Sequence, residues 1–488
     1  MKNTSIPSNF PPPETSATQK WWALLGVGLG LLMFTLDSSI VNLALPTLVK
    51  TFNTTFATIQ WVVVSYLLIV TVLVLGAARL GDMFGKKRLY LWGLILFTIA
   101  SLLCGLASSV EWLIAFRALQ GLGGLCISAL AAAIATEVFP ASERGKTLGI
   151  IGATVSLGIC LGPTLGGLLI GIAGWRLIFF VNIPIGILAS FIIVKFVPQD
   201  AIANNAQRFD ALGSAIIAIS LLSFTFSMTQ GQIESFTSIK TLSLLAIAVL
   251  SFAAFLFLEA RINQPMLDLK MFKNREFSLS LLMGFLVLFA ITGVIFILPF
   301  FLEIVLHYPT QKVGLLLGFF PVLIGIVAPF SGSMSDRFSP RIISLVGLVL
   351  MFSSCLLMST FDAQLKELVY IAWIAPLGIG FGMFQSPNNS AIMGSVPKER
   401  LGIASGLLSL SRTLGQTVAL PLMGAMFAGL TLSNAHLAQN SQVTAAPPTA
   451  LVYGLQGTFR FAALILLIAA GLAVVVWKME QKSRPNYE

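Results

Sequence analysis

The chain has 488 residues, of which 57% are hydrophobic and only 10% charged, and its formal net charge is +10. A soluble domain carries roughly 25% charged residues, so the composition excludes a soluble globular protein and points to a helical membrane protein. A membrane barrel, which would show short alternating segments, is excluded too. The positive charges lie in short loops between apolar runs, which is a topology signal and not a nucleic-acid surface.

Residues 1–20 are polar, contain Pro11-Pro12-Pro13, and read as a disordered tail. The apolar run that follows is too long for the core of a signal peptide. Fourteen spans are predicted, at about 22–46, 57–80, 89–107, 112–137, 147–172, 176–197, 211–229, 240–259, 277–303, 312–334, 341–360, 368–394, 402–429 and 459–478. An even number puts both ends of the chain on one side. Loops on that side hold Lys86, Lys87, Arg88, Arg144, Lys146, Arg208, Arg261, Lys270, Lys273, Arg275, Arg337, Arg341, Lys398 and Arg400, among others. Opposite loops hold only Lys50, Arg176, Lys240, Lys312, Lys366 and Arg460. The positive-inside rule therefore predicts a multi-pass protein of the cell (inner or plasma) membrane with both termini in the cytoplasm.

A weak internal repeat organises the chain further. Gly81-Asp82-Met83-Phe84-Gly85-Lys86-Lys87-Arg88 follows the second span, and Ser335-Asp336-Arg337-Phe338-Ser339-Pro340-Arg341 follows the tenth. Both put an Asp at a helix end, then a turn, then basic residues. The predicted division is a tail (1–20), a six-helix bundle (21–200), two inserted helices with a cytoplasmic linker (201–275), a second six-helix bundle (276–480) and a tail (481–488). Repeats of this kind are typical of secondary transporters. The polar stretch 430–458, with Pro447-Pro448, is expected to be irregular. Residues 261–276 mix apolar and charged groups, and two readings stay open: a surface-lying segment or a plain linker.

The first span contains Leu36-Asp37-Ser38-Ser39-Ile40-Val41-Asn42-Leu43-Ala44-Leu45-Pro46. An acid at membrane depth costs about 2.5–3.5 kcal/mol on insertion scales and is kept when it faces a partner or a wet cavity. The fourth span offers the partner. Arg117, Gln120, Gly121 and Gly124 fall at i, i+3, i+4 and i+7 and share a helix face. An Asp37–Arg117 pair is neutral when Asp37 is ionised and unbalanced when it takes a proton, so it can work as a switch; the alternative is a static pair that fixes packing. The fifth span repeats Gly158, Gly162 and Gly166 at i+4 with Pro163 between them, a groove for a close neighbour or a hinge. Cys104, Cys126, Cys160 and Cys355 lie in apolar runs and read as small packing residues.

These stretches, taken in order, resemble the fourteen-helix drug:proton antiporter family of the major facilitator superfamily. Leu36 to Pro46 is similar to that family's first-helix motif, and Leu80 to Arg88 to the superfamily loop between helices 2 and 3, with Ala78 where Gly is usual. Arg117 to Gly124 resembles the helix-4 motif, Gly158 to Gly167 the helix-5 antiporter motif, and Gly174-Trp175-Arg176 to Gly186 the start of helix 6. The resemblance implies an all-α fold of two pseudo-symmetric six-helix bundles plus two inserted central helices. It also implies alternating access, with efflux driven by inward proton movement and no cofactor beyond the proton-motive force. Proton coupling would rest on Asp37 and Arg117. Gating and packing would rest on Gly81, Asp82, Gly85, Lys86, Lys87, Arg88, Gly158, Gly162, Pro163, Gly166, Asp336 and Arg337. One departure matters. Family members that export dications can carry an extra acid in helix 10, whereas Gly314 to Phe330 here has none, which weakens a dication reading.

Asn42, Gln120, Asn182, Gln385, Asn388, Asn389 and Arg412 are the expected lining of the substrate cavity. In the thirteenth span Ser405, Ser409, Arg412 and Gln416 share a face, and either packing across the bundle or an anionic cargo accounts for Arg412. An enzyme is not expected: there is no Ser–His–Asp set, metal cluster or phosphate loop. The leading reading is proton-coupled efflux of lipophilic or amphipathic small molecules by a chain that works as a monomer in the bilayer. The alternative is a dedicated exporter of one metabolite, such as a lipid, siderophore or sugar. The partners expected are the substrate, protons and lipid.

Overall fold

The computed structural model describes residues 17–140, 143–199, 210–262, 267, 269–335, 339–397, 400–438 and 441–483. The first bundle comprises α1 (Ala17–Phe52), the short α2 (Phe56–Ile59), α3 (Trp61–Phe84), α4 (Lys86–Leu106), α5 (Val110–Val138), α6 (Arg144–Ala173), α7 (Leu177–Phe180) and α8 (Asn182–Phe196). Two further helices follow, α9 (Ala211–Ile233) and α10 (Ile239–Glu259). The second bundle holds α11 (Arg275–Phe300), α12 (Thr310–Ser335), α13 (Pro340–Met358), α14 (Glu367–Gly394), α15 (Leu401–Asn434) and α16 (Pro448–Ser483). Fourteen stretches of these helices are long and apolar enough to cross a membrane. Helices are the expected solution, because backbone groups in hydrocarbon must be satisfied within their own segment.

Local chemistry sets the ends. Gly85 closes α3 at φ 92° and Gly174 closes α6 at φ 80°, a region that side chains with a Cβ rarely enter. Asp210 caps α9 by accepting the Gly213 N–H at 2.8 Å. Asn274 caps α11 by accepting from Glu276 at 3.0 Å and Phe277 at 3.3 Å. Each cap satisfies donors that the first helical turn leaves without partners.

Two expectations about loops change. The stretch 430–458 is mostly helical: α15 continues to Asn434 and α16 starts at Pro448. Pro fits the first helical position, and Leu451, Val452, Leu455 and Phe459 then form a buried stripe. A hydropathy window misses that stripe because Tyr453, Gln456 and Thr458 dilute it. In the linker, Leu267 and Met271 are buried in a cluster with Leu68 and Val72 of α3, Ile217 and Leu221 of α9, Phe255 of α10, Phe277 of α11, Ile392 of α14 and Leu407 of α15. These two residues therefore pack into protein and do not lie on a lipid surface. Residues 17–20, read as tail, are the first turn of α1, and Lys20 pairs with Glu143 at 2.8 Å.

Helix α9 bridges the bundles. On the first-bundle side, Trp61 Nε1 donates to Thr229 Oγ1 at 3.0 Å and Gln60 Nε2 to Gln232 Oε1 at 3.3 Å. On the second-bundle side, Ile217 and Leu221 share a buried cluster with Leu407 of α15, and α10 packs on α9 through Ser220 Oγ, which donates to the Ala248 carbonyl at 2.8 Å. Outward-facing Leu242, Ile247, Leu250 and Phe257 of α10 are exposed, as a lipid-facing helix requires.

The two bundles meet tightly at one end and part at the other. At the end without the termini, the Phe56 ring lies 5.7, 4.9 and 5.4 Å from Phe296, Phe300 and Phe427. Nearby, a methyl added at Gly314 of α12 would sit 2.4 Å from the Pro163 carbonyl of α6, and one at Gly167 would sit 2.8 Å from the Thr310 carbonyl. Gly325 lies on the same face of α12 as Gly314, and Gly149 on the same face of α6 as Gly167, at about 3.6 residues per turn. A methyl at either would meet nothing within 4 Å. The seam between α6 and α12 thus opens toward the terminus-bearing end, leaving a gap between the bundles on that side.

Candidate functional site: a buried charge network and a second arginine

Asp37 on α1 is fully buried, and Arg117 on α5 is 1% exposed. Arg117 Nη1 donates to Asp37 Oδ2 at 2.6 Å. The other carboxylate oxygen, Oδ1, accepts from Gln120 Nε2 at 2.9 Å and from Asn182 Nδ2 at 2.8 Å. The same two amides also donate to Ser101 Oγ, at 3.2 and 2.9 Å. Ser101 Oγ in turn donates to the Phe179 carbonyl at 3.0 Å. Arg117 completes its set with the Val62 carbonyl at 3.1 Å and Gln120 Oε1 at 2.5 Å, and its guanidinium lies 4.4 Å from the centre of the Tyr66 ring. One carboxylate therefore ties α1 to α5 and α8 directly, and through Ser101 and Arg117 to α4, α7 and α3.

The geometry follows from small residues. Gly121 and Gly124 bring Tyr66 against α5: a methyl at Gly121 would lie 2.9 Å from the Tyr66 carbonyl, and one at Gly124 2.8 Å from its hydroxyl. A buried ion pair of this kind rarely adds net stability, because desolvating both charges offsets their attraction. What it sets is position. The carboxylate is the common acceptor, Oδ2 for Arg117 Nη1 and Oδ1 for the two amides.

Gln120 and Asn182, expected in the substrate cavity, are instead 0% exposed in this conformation and are spent on Asp37. Asn42 is half-buried, and its Oδ1 has no hydrogen-bond partner among the described residues. Ser101 and Tyr66 were not singled out from sequence. A lone Ser or Tyr in an apolar run carries no distinguishing signal.

The glycines of α6 serve two neighbours. A methyl at Gly158, Gly162 or Gly166 would collide with Thr35, Ser39 or Ile40 of α1, at 1.9, 1.8 and 2.6 Å. Pro163, Gly167 and Gly171 receive α12 instead, with Gly314 and Gln311 as neighbours. So α6 lies between the helix that carries Asp37 and the seam between bundles.

Around the loop after α3, a methyl at Gly81 would lie 2.5 Å from Leu130. Lys86 pairs with Glu137, and Lys87 Nζ reaches the Val197 carbonyl at 2.5 Å. Arg88 is exposed. The side chain of Asp82, together with Asp336 and Arg337, lies outside the described residues.

The second bundle holds two more arginines away from solvent. Arg341, only 2% exposed, pairs with Glu276 at 2.5 Å and Glu480 at 2.6 Å and donates to Ser280 Oγ at 2.9 Å. Sequence reading treated it as a loop charge. Its partners come from the ends of two distant apolar runs, which spacing does not reveal. Arg412 on α15 is half-buried and donates from Nη2 to Asn389 Oδ1 of α14 at 2.9 Å. Next to it, Asn388 Nδ2 donates to the Ser280 carbonyl at 3.2 Å, and Gln385 is half-buried one turn away. The four cysteines are free thiols, and Cys104 donates weakly to Gln120 Oε1 at 3.7 Å.

The model of the Major Facilitator Superfamily matches residues 27–420 and 281–487. The multidrug resistance protein Stp of Mycobacterium tuberculosis is 35% identical over 406 residues, covering 83% of this chain and 75% of that protein. The riboflavin transporter RibZ of Clostridioides difficile is 33% identical over 411 residues, covering 84% of this chain and 89% of that protein. Among solved structures, an inward-facing, unoccupied bacterial homologue of the human lysosomal transporter Spinster superposes with a TM-score of 0.70 at 17% identity, over 97% of this chain and all of that one. With twelve membrane-length helices in two bundles, two more between them and these relatives, the chain belongs to the major facilitator superfamily and is a multi-pass membrane transporter, not an enzyme.

Proposed function

We propose that the chain exports amphipathic small molecules in exchange for protons, with Asp37 as the proton carrier. The observation that carries this reading is the buried Asp37–Arg117 pair with its Gln120, Asn182 and Ser101 partners. Ionisable groups at membrane depth mark proton and substrate pathways more often than they mark packing. Ionised, Asp37 holds α1 against α5 and α8. Protonated, it loses the attraction of Arg117, and α1 becomes free to shift on the glycine groove of α6. Because the opposite face of α6 meets α12, a movement there reaches the seam that closes one end of the cavity. With both termini in the cytoplasm, as the loop charges indicate, the gap between the bundles opens to the cytoplasm, where an exporter loads its cargo.

The test uses purified protein in liposomes with an imposed pH gradient, reading internal pH as candidate substrates are added. Substrate-dependent proton movement in the parent protein, lost in Asp37→Asn, supports the reading. Undiminished uphill transport by Asp37→Asn removes Asp37 from the mechanism. A second reading, dedicated export of one metabolite, is favoured by the similarity to a protein named for riboflavin. Competition by chemically unrelated compounds separates the two, since a dedicated site does not tolerate them.

A further inference from the structure

Arg412 differs from the other inward-placed arginines in what it lacks. Arg117 faces Asp37, and Arg341 faces Glu276 and Glu480. Among the described residues Arg412 has no carboxylate partner, and of its five N–H donors only one is used, by Asn389. A guanidinium stays charged under all ordinary conditions. A half-buried, unbalanced cation is costly, and a protein retains one where something else supplies the anion.

The packing of α15 shows where Arg412 points. Ser411 Oγ donates to the Leu281 carbonyl at 2.9 Å, and a methyl at Gly415 would lie 2.8 Å from the Phe285 carbonyl, so that face is pressed on α11. Thr417 Oγ1 meets Thr71 Oγ1 of α3 at 2.8 Å. Leu407 packs into the cluster that includes α9. The face left over carries Ser405, Ser409, Arg412 and Gln416. From it Arg412 reaches across the front of α11 to Asn389 on α14, beside Asn388, which is itself bonded to α11. This polar wall faces the gap between the bundles. Asp37, across the gap in the first bundle, is fully buried on Arg117, and within the second bundle α12 contains no Asp or Glu between Thr310 and Ser335.

We propose that Arg412, oriented by Asn389, is the recognition point for an anionic oxygen group, such as a carboxylate or sulfonate, on an otherwise apolar cargo. The guanidinium offers paired N–H donors that match two oxygens of one such group. With no acid in α12, the site then selects against cations and for amphipathic organic anions. The inference rests on the reading of the chain as an exporter only for its biological sense, because binding itself requires no proton gradient.

The test compares dansyl-glycine, a carboxylate, with dansyl-glycinamide, its neutral isostere, for binding to the full chain in lipid nanodiscs. The parent protein is expected to bind the carboxylate at least tenfold more tightly. Arg412→Gln should lose that preference by weakening the carboxylate while leaving the amide within twofold. Arg412→Lys should keep part of it, and Asn389→Ala should reduce it severalfold, which also guards against a folding defect in any one variant. Equal binding of the two probes, binding of neither, or a preference that survives in Arg412→Gln overturns the proposal. A preference that stands while Asp37→Asn still drives uphill efflux would instead overturn the proton-carrier reading and leave this one intact.

Discussion

The two bundles place an arginine at membrane depth in opposite ways. Arg117 in the first is completely enclosed and neutralised, with every contact given by side chains or carbonyls of its own bundle. Arg412 in the second is half-buried beside the gap between the bundles and holds a single amide oxygen. A neutralised charge is a built-in part of the structure, and its energetic weight appears only when a partner is taken away. An unbalanced charge is an invitation to a ligand. On the function proposed above, the first bundle would handle the proton and the second would meet the cargo.

The contrast can be broken most forcefully at Arg117. Arg117→Ala leaves Asp37 buried without its cation, and loss of one member of a buried pair costs about 3–5 kcal/mol. The expected outcome is a steep fall in melting temperature and in monodisperse yield. Adding Asp37→Leu to that variant should restore much of the stability but not proton coupling, and a double variant as unstable as the single one would contradict the pairing.

Next in size is the seam that both bundles share. Gly314→Val places two methyls where a single added carbon already comes 2.4 Å from the Pro163 carbonyl. Overpacking of this kind costs about 1–3 kcal/mol. Here it should be relieved by opening the closed end, so a Val49→Cys reporter, buried in the parent, should react faster with a membrane-impermeant maleimide in the Gly314→Val background. Unchanged labelling would mean that α12 accommodates the side chain without moving.

A smaller effect is expected at Ser101. Ser101→Ala removes the oxygen that receives both amides, at a cost of about 1 kcal/mol. Because Gln120 and Asn182 keep their bonds to Asp37, the melting temperature should fall by no more than the equivalent of that amount, and a loss as large as that of Arg117→Ala would contradict the shared arrangement. The smallest effect on folding belongs to Arg412. Arg412→Leu removes a charge that has no acid to abandon, so its melting temperature should stay within the equivalent of about 1 kcal/mol of the parent. A loss as large as that of Arg117→Ala would show that the two arginines are equivalent after all.

Several of these features were legible in the residues. Asp37 and Arg117 stand out because each is an expensive group inside a long apolar run, and each is the natural counter-ion of the other. The i+4 glycines of α6 announce a close neighbour. Which neighbour was not legible: Gly158, Gly162 and Gly166 receive α1, while Gly167 and Gly171, next to them in the chain, receive α12 across the seam. Gln120 and Asn182 looked like cavity residues because an amide in a membrane span has no sequence mark that distinguishes a ligand contact from a partner to a carboxylate. Glu276 and Glu480 lie near the ends of two apolar runs distant in the chain, and no spacing in the sequence shows that both neutralise Arg341.

Sequence by itself determined the membrane class, the number of spans and the presence of a charge pair in the first half, because transfer into hydrocarbon is a local property, summed residue by residue along a run. Only the tertiary structure decided that Asp37 is shared among Arg117, Gln120 and Asn182, that Leu267 and Met271 of the linker are buried in protein, that the bundles close at the end without termini, and that Arg412 faces the gap with no acid to meet it. Those outcomes depend on which helix faces meet, and helix rotation and pairing are set by packing between segments far apart in the chain.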